Sequence, residues 1–151
     1  MESTSLFLSS GEIFVGDRHD DIIRTLVGTC IAVCIWDKNC QLAGMCHFRL
    51  PEVQHTLEDS PNENDYGRTA IVNLLKAFKK RGAQREDLTA KILGGAQLSK
   101  SQVISKMRIG EKNIRVALDT LREFSIPVVG KVINVDSGLK IAMSCVNGEL
   151  N

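Results

Sequence analysis

The stretch that decides the fold is Cys30-Ile31-Ala32-Val33-Cys34-Ile35-Trp36, followed after a turn by Leu42-Ala43-Gly44-Met45-Cys46-His47-Phe48. Both runs are short and apolar, and the first is rich in β-branched residues, the pattern of buried strands. Asp37-Lys38-Asn39-Cys40 between them reads as a turn, because Asp and Asn favour turn backbone. Pro51 ends the return strand. If Lys38 and Asn39 form a two-residue loop, Asp37 pairs with Cys40. Trp36 then faces Gln41, Cys34 faces Ala43, Ala32 faces Met45 and Cys30 faces His47. Opposed residues on one face have Cβ atoms about 4.5–5.5 Å apart. The count therefore sets the Cys30 sulfur against the His47 ring and turns Cys46 to the opposite face.

Working outward, Glu12–Val15 reads as a strand, Asp17–Asp21 as a loop, and Ile22–Val27 as an apolar run that breaks at Gly28. Glu52–Asp65 is polar and reads as an exposed loop. A helix starts near Tyr66, with Asn64 or Asp65 as its N-cap. Its apolar residues Ile71, Leu74, Leu75 and Phe78 are spaced for one face, and Gly82 stands where a C-terminal glycine belongs. Leu88–Leu93 reads as a strand ending in Gly94-Gly95-Ala96. A second helix is expected over Glu111–Phe124, with Ile114, Leu118 and Leu121 on one face and Pro127 as its stop. Two strands, Val128–Val135 and Leu139–Val146, joined by the turn-like Asp136-Ser137-Gly138, close the chain. This order predicts an α+β layered fold, and 151 residues fit a single domain over 1–151.

Composition narrows the function classes. Nineteen Lys and Arg against 18 Asp and Glu leave a net charge of +1, too little for a general nucleic-acid binder. Five cysteines, an odd number with no secretory signal at the N-terminus, argue against a disulfide scaffold and for reduced thiols in the cytoplasm. The longest uncharged apolar stretch, Thr25–Trp36, is too short to span a bilayer, so the chain is not expected to be membrane-embedded. Cys30, Cys34, Cys40, Cys46 and His47 lack the paired Cys-x-x-Cys spacing of a zinc site, and no metal is expected.

The Cys30–His47 pair has a chemical reading. A neighbouring histidine lowers a thiol pKa and takes up its proton, leaving a nucleophilic thiolate. Gly28 lets the backbone bend, and the amides of the Gly28-Thr29 bend are candidates to hold an oxyanion. A third group should orient the imidazole, and the Thr25 hydroxyl is the candidate. The remaining cysteines read as ordinary thiols: Cys34 and Cys145 in the core, Cys40 and Cys46 partly exposed. His19 and His55 lie in polar loops without a catalytic partner. Gly94-Gly95 lacks the rest of a phosphate-loop pattern and reads as close backbone packing or cleft lining.

The segment Thr25-Leu26-Val27-Gly28-Thr29-Cys30-Ile31-Ala32-Val33-Cys34 resembles the cysteine segment of the bacterial chemotaxis family CheD. Gly44-Met45-Cys46-His47-Phe48-Arg49-Leu50-Pro51 is similar to the family's gly-met-ala-his-phe-met-leu-pro. Lys91–Ala96, Ile109–Asn113 and Ile126–Val129 resemble three further blocks in the same order. The resemblance implies a sandwich of two mixed sheets with helices packed outside. It implies a cysteine hydrolase that converts chemoreceptor glutamines to glutamates through a Cys thioester. Cys30 would be the nucleophile, His47 the acid and base, Thr25 the residue that orients His47, and no cofactor would be needed. The implied partners are chemoreceptor cytoplasmic helices and a CheC-type phosphatase of CheY. The family's asp-x-gly-gly-x-x-gly-arg block is reduced to Gly138 in Val132–Leu139. A non-enzymatic adaptor that binds a CheC-type phosphatase or a receptor stays open as the alternative.

Overall fold

The computed structural model describes residues 5–96, 109–133 and 137–151. β1 (Ser5–Phe7), β2 (Ile13–Gly16), β3 (Ile22–Val27), β4 (Ile31–Asp37) and β5 (Leu42–Phe48) come first, then α1 (Gly67–Lys80) and β6 (Leu88–Gly94). They are followed by α2 (Ile109–Glu123), β7 (Val128–Ile133) and β8 (Leu139–Ser144). The strands form a five-stranded sheet, β2-β5-β4-β6-β7, and a three-stranded sheet, β1-β3-β8. Each is mixed: β6 and β7 run parallel in the first, β1 and β3 in the second, and the other pairings are antiparallel.

β4 lies inside the larger sheet and is buried on both faces. Ile31, Val33 and Ile35 point to the helices, where Ala70, Ile71, Leu74 and Phe78 of α1 and Ile114, Ala117 and Leu121 of α2 complete one core. Ala32 and Cys34 point the other way, against Ile23 and Val27 of β3 and Ile141 and Met143 of β8. The layers are therefore helices, large sheet, small sheet, in agreement with the expected α+β sandwich. Burying each large aliphatic side chain contributes about 1.5–3 kcal/mol, so the strand with two buried faces anchors both cores.

The hairpin register differs from the two-residue count. Asp37 pairs with Leu42, and the loop holds the four residues between them. The Asp37 carboxylate accepts from the Asn39 and Cys40 amides at 2.9 and 3.1 Å, and Gln41 takes a left-handed φ of 56°. That side-chain-capped turn adds two residues to the loop. His47 consequently faces Ala32, not Cys30. A shift of two preserves every face, because the strand period is two. Cys30 and His47 still share a face, and Cys46 stays on the other.

Other expectations also shift. α1 has Tyr66 at its N-cap with no side-chain cap bond, and Asn62 instead caps the short turn Glu63–Asp65. β7 and β8 belong to different sheets and do not pair; Val135 and Asp136, in the expected strand and turn, lie outside the described residues. Cys46 is fully buried rather than partly exposed. β1 was not expected at all.

The Gly94-Gly95 pair is close backbone packing. A Cβ on Gly94 would lie 2.2 Å from the Cys30 carbonyl oxygen, at a φ of +115° that side chains rarely adopt. Gly94→Ala should lower unfolding free energy by about 1–3 kcal/mol or more, measured by urea denaturation. A neutral result would show that the Cys30 loop yields easily.

Candidate active site

His47 is the second-last residue of β5, on the face toward the small sheet, and is 5% exposed. Thr25 lies in β3 of that small sheet, paired with Ile141. Thr25 Oγ1 sits 2.8 Å from His47 Nδ1, so one hydrogen bond bridges the two sheets. The same hydroxyl donates to the Leu8 carbonyl at 2.7 Å. A hydroxyl has a single proton. With that proton committed to Leu8, Thr25 can only accept from His47, so Nδ1 carries the imidazole hydrogen. Nε2 is then the bare lone pair. It is buried and has no hydrogen-bond partner among the described residues.

Cys30 immediately precedes β4 and is half-buried at the edge of the inter-sheet core. It lies two residues before Ala32, the direct partner of His47, and so is the diagonal neighbour on the shared face. Such neighbours are about 7–8 Å apart at the backbone, with Cβ atoms somewhat closer, within reach of longer side chains. The Gly28-Thr29-Cys30 loop is held by its carbonyls. Gly28 O accepts from Ala96 N at 2.8 Å and Cys30 O from Gly95 N at 2.9 Å. Thr29 O accepts from Asn113 Nδ2 at 3.2 Å.

Burial raises the Cys30 thiol above its ordinary value, with the Arg49 cation opposing that rise and Asp65 adding to it. Burial lowers the His47 imidazole, while the Leu8 carbonyl and the Asp65 and Glu12 carboxylates pull it back up. Both shifts favour neutral forms, a thiol beside a neutral imidazole. Cys46, fully buried against the helices, is pushed up to about 12, and Cys145 to about 11. Among the described residues no group of three His, Cys, Asp or Glu side chains gathers to hold a metal.

Sequence reasoning missed Asn113. It is fully buried in α2, and its amide nitrogen donates to both Thr29 O and Arg49 O, the latter at 3.1 Å. Arg49 follows β5 directly, so Asn113 ties the cysteine loop to the end of the histidine strand. The signal was available in the Ile109–Asn113 block, where a polar residue stands on a helix face that points inward. Gly95 and Gly110 let the helix approach: a Cβ on Gly110 would lie 2.7 Å from Gly95 O and 2.8 Å from Ala96 O.

Comparisons with known proteins agree with this architecture. Residues 49–151 match the CheD family model, described as CheD chemotactic sensory transduction. A probable chemoreceptor glutamine deamidase CheD from Sulfurimonas denitrificans is 35% identical over 150 residues, covering 99% of this chain and 94% of that protein. The chain belongs to the CheD family. A relative of the same name from Methanococcus vannielii is 33% identical over 145 residues, covering 96% of this chain and 92% of its own. One from Trichlorobacter lovleyi is 37% identical over 140 residues, covering 90% and 84%. Among solved structures, Bacillus licheniformis hypothetical protein YfiH aligns with a TM-score of 0.52 at 16% identity, covering 80% of this chain and 49% of that one. That likeness concerns the fold alone. The family model begins two residues after His47, while the 150-residue alignment takes in β3, β4 and β5. In this CheD chain the divergent segment touches the site's support: a Cβ on Gly138 would lie 3.3 Å from Val27 O, at the end of the strand leading to Gly28.

Two outcomes follow from the geometry. Asn113→Ala strands the Thr29 and Arg49 carbonyls and should cost about 1–3 kcal/mol in chemical denaturation. The unfolded chain binds the His47 proton near the ordinary value of 6.5, above the folded value. Stability from this group is therefore full above that pH and is lost as pH falls toward the folded value. In denaturation at stepped pH, His47→Gln should remove this part of the slope; an unchanged slope would refute it.

Proposed function

We propose that this chain is a chemoreceptor glutamine deamidase that acts in the cytoplasm through a Cys30 thioester. The observation that carries the reading is the Thr25 hydroxyl proton committed to Leu8, which leaves His47 Nε2 as a buried, unpartnered base. Full-length relatives named probable chemoreceptor glutamine deamidase support the choice of substrate. The nearly neutral chain suits a protein substrate rather than nucleic acid. No helix among the described residues is long and apolar enough to cross a membrane.

In the proposed mechanism the glutamine carboxamide enters beside Cys30. The thiol proton passes to His47 Nε2 as Sγ attacks the amide carbon, and the electron pair of the C=O bond moves to oxygen. Amides of the Gly28-Thr29-Cys30 loop hold that oxyanion, since the loop's carbonyls are already fixed elsewhere. His47 returns the proton to the leaving nitrogen, the C–N bond breaks, and ammonia departs. Water then gives a proton to His47 and adds to the thioester. Collapse releases the glutamate and restores the thiol. Nδ1 keeps its hydrogen and donates it to Thr25 Oγ1 throughout, which holds the ring aligned. A CheC-type phosphatase is a further partner in this reading, supported by the family resemblance.

The test is mass spectrometry of chemoreceptor cytoplasmic fragments with an ammonia assay. The wild type should add about one dalton per converted glutamine, the change of an amide hydrolysis. Cys30→Ala should abolish it, and His47→Gln should slow it by about 10²–10⁴-fold. Receptor control that survives Cys30→Ala, with no mass change by the wild type, would favour the adaptor reading.

A further inference from the structure

We propose that Arg49 forms a carboxylate-binding subsite beside Cys30 and His47, taking an acidic side chain of the substrate segment that carries the target glutamine. This rests on the deamidase reading above. Arg49 follows the last residue of β5, where the ladder ends with Ile31 paired to Phe48. One step further along that ladder, Arg49 comes level with Cys30. The Asn113 amide confirms their closeness, because one nitrogen bonds both the Thr29 and Arg49 carbonyls, at 3.2 and 3.1 Å. The Arg49 charge is also the main group favouring the Cys30 thiolate.

The side chain is held at its neck and open at its head. The Arg49 amide donates to Asp65 O at 3.1 Å, and Nε lies 3.5 Å from Asp65 Oδ2. The Asp65 side chain is only 10% exposed and also accepts from the Ser60 and Ser10 hydroxyls. The Arg49 side chain is 45% exposed, and its contact with Asp65 is made through Nε. A guanidinium anchored through Nε keeps a planar pair of donors suited to a carboxylate. On a helical substrate, residues three or four positions from the target lie about 5–6 Å from it. A residue level with the nucleophile is placed to read such a neighbour. The glutamine itself is neutral, so a charged neighbour supplies the discrimination the carboxamide lacks.

Asp65 and Glu12 also bear on the site, since both act on His47. If their charge dominated, a basic neighbour would be preferred, so the sign of the preference is a direct test. Ammonia release is measured with full-length protein on helical peptides that hold one glutamine and Glu, Ala or Lys four positions away. The wild type should show KM about tenfold lower for the Glu peptide than for the Ala peptide. Arg49→Met should bring that ratio close to one, and Arg49→Glu should favour the Lys peptide. A role confined to the thiol would lower kcat equally for all three peptides and leave the KM ratio intact, which would overturn the subsite. A wild-type preference for Lys would overturn it as well. Calorimetry of the same peptides on Cys30→Ala protein reads binding without turnover. A Glu preference there that disappears in the Arg49→Met double variant supports the subsite even if no ammonia forms, in which case the deamidase reading alone fails. Equal binding of the three peptides overturns the subsite.

Discussion

A single hydroxyl proton decides which nitrogen of the His47 ring carries the hydrogen. Thr25 spends it on the Leu8 carbonyl, and the His47 ring must then donate to Thr25 rather than accept from it. The three residues come from three places: Leu8 follows β1, Thr25 is in β3, and His47 is in β5. The small sheet therefore does more than cover one face of the large one. Its register against β5 decides which imidazole nitrogen is left bare. A threonine lost here would free the ring to adopt either tautomer and would leave a buried N–H without an acceptor.

β4 and β5 divide the labour between their faces. The face toward the helices carries the apolar Ile31, Val33, Ile35, Cys46 and Phe48. The face toward the small sheet holds Ala32, Cys34, Ala43 and Met45, and His47 and Cys30 at one end of it. Small residues near the histidine keep the inter-sheet space narrow enough for the Thr25 bond. The helices reach the same site through Asn113, whose amide crosses from α2 to both strand ends. Both flanking layers thus converge on the end of one hairpin.

Much of this was legible in the sequence because strand faces alternate strictly. The hairpin strands, the α1 face and its glycine end all follow from local pattern. The register did not, since it depends on an Asp37 side chain capping its own turn and on Gln41 accepting a left-handed backbone. The error was two residues, and parity protected the assignment of Cys30 and His47 to one face. β1 escaped because three exposed residues, Ser5–Phe7, carry no periodicity, and their pairing with β3 is long-range. The last two strands are neighbours in sequence across a turn-like segment, yet they finish different sheets. Asn113 stands out as a polar residue on an inward helix face, but the carbonyls it bonds are 84 and 64 residues away, and Asp65 reaches Ser10 across 55, contacts no local pattern encodes.

The electrostatics of the pair explain why its surroundings matter. Burial disfavours both the thiolate and the imidazolium, which favours a neutral resting pair, and in the proposed mechanism the ion pair is a state reached during reaction. Moving one proton from sulfur to Nε2 creates two charges at once in a partly dry site. Each then needs a compensating group already in place. The imidazolium has the Thr25–Leu8 chain on one side, with Asp65 and Glu12 acting at longer range. The sulfur has Arg49, and Arg49 is held by Asp65. Asp65 therefore acts on the two charges in opposite senses: it favours the imidazolium and disfavours the thiolate, and it holds the Arg49 cation that offsets the second effect. Its carboxylate is held at the end of an otherwise exposed loop by the Ser10 and Ser60 hydroxyls and by Arg49, where solvent screens its effect on either group less than it would at the surface.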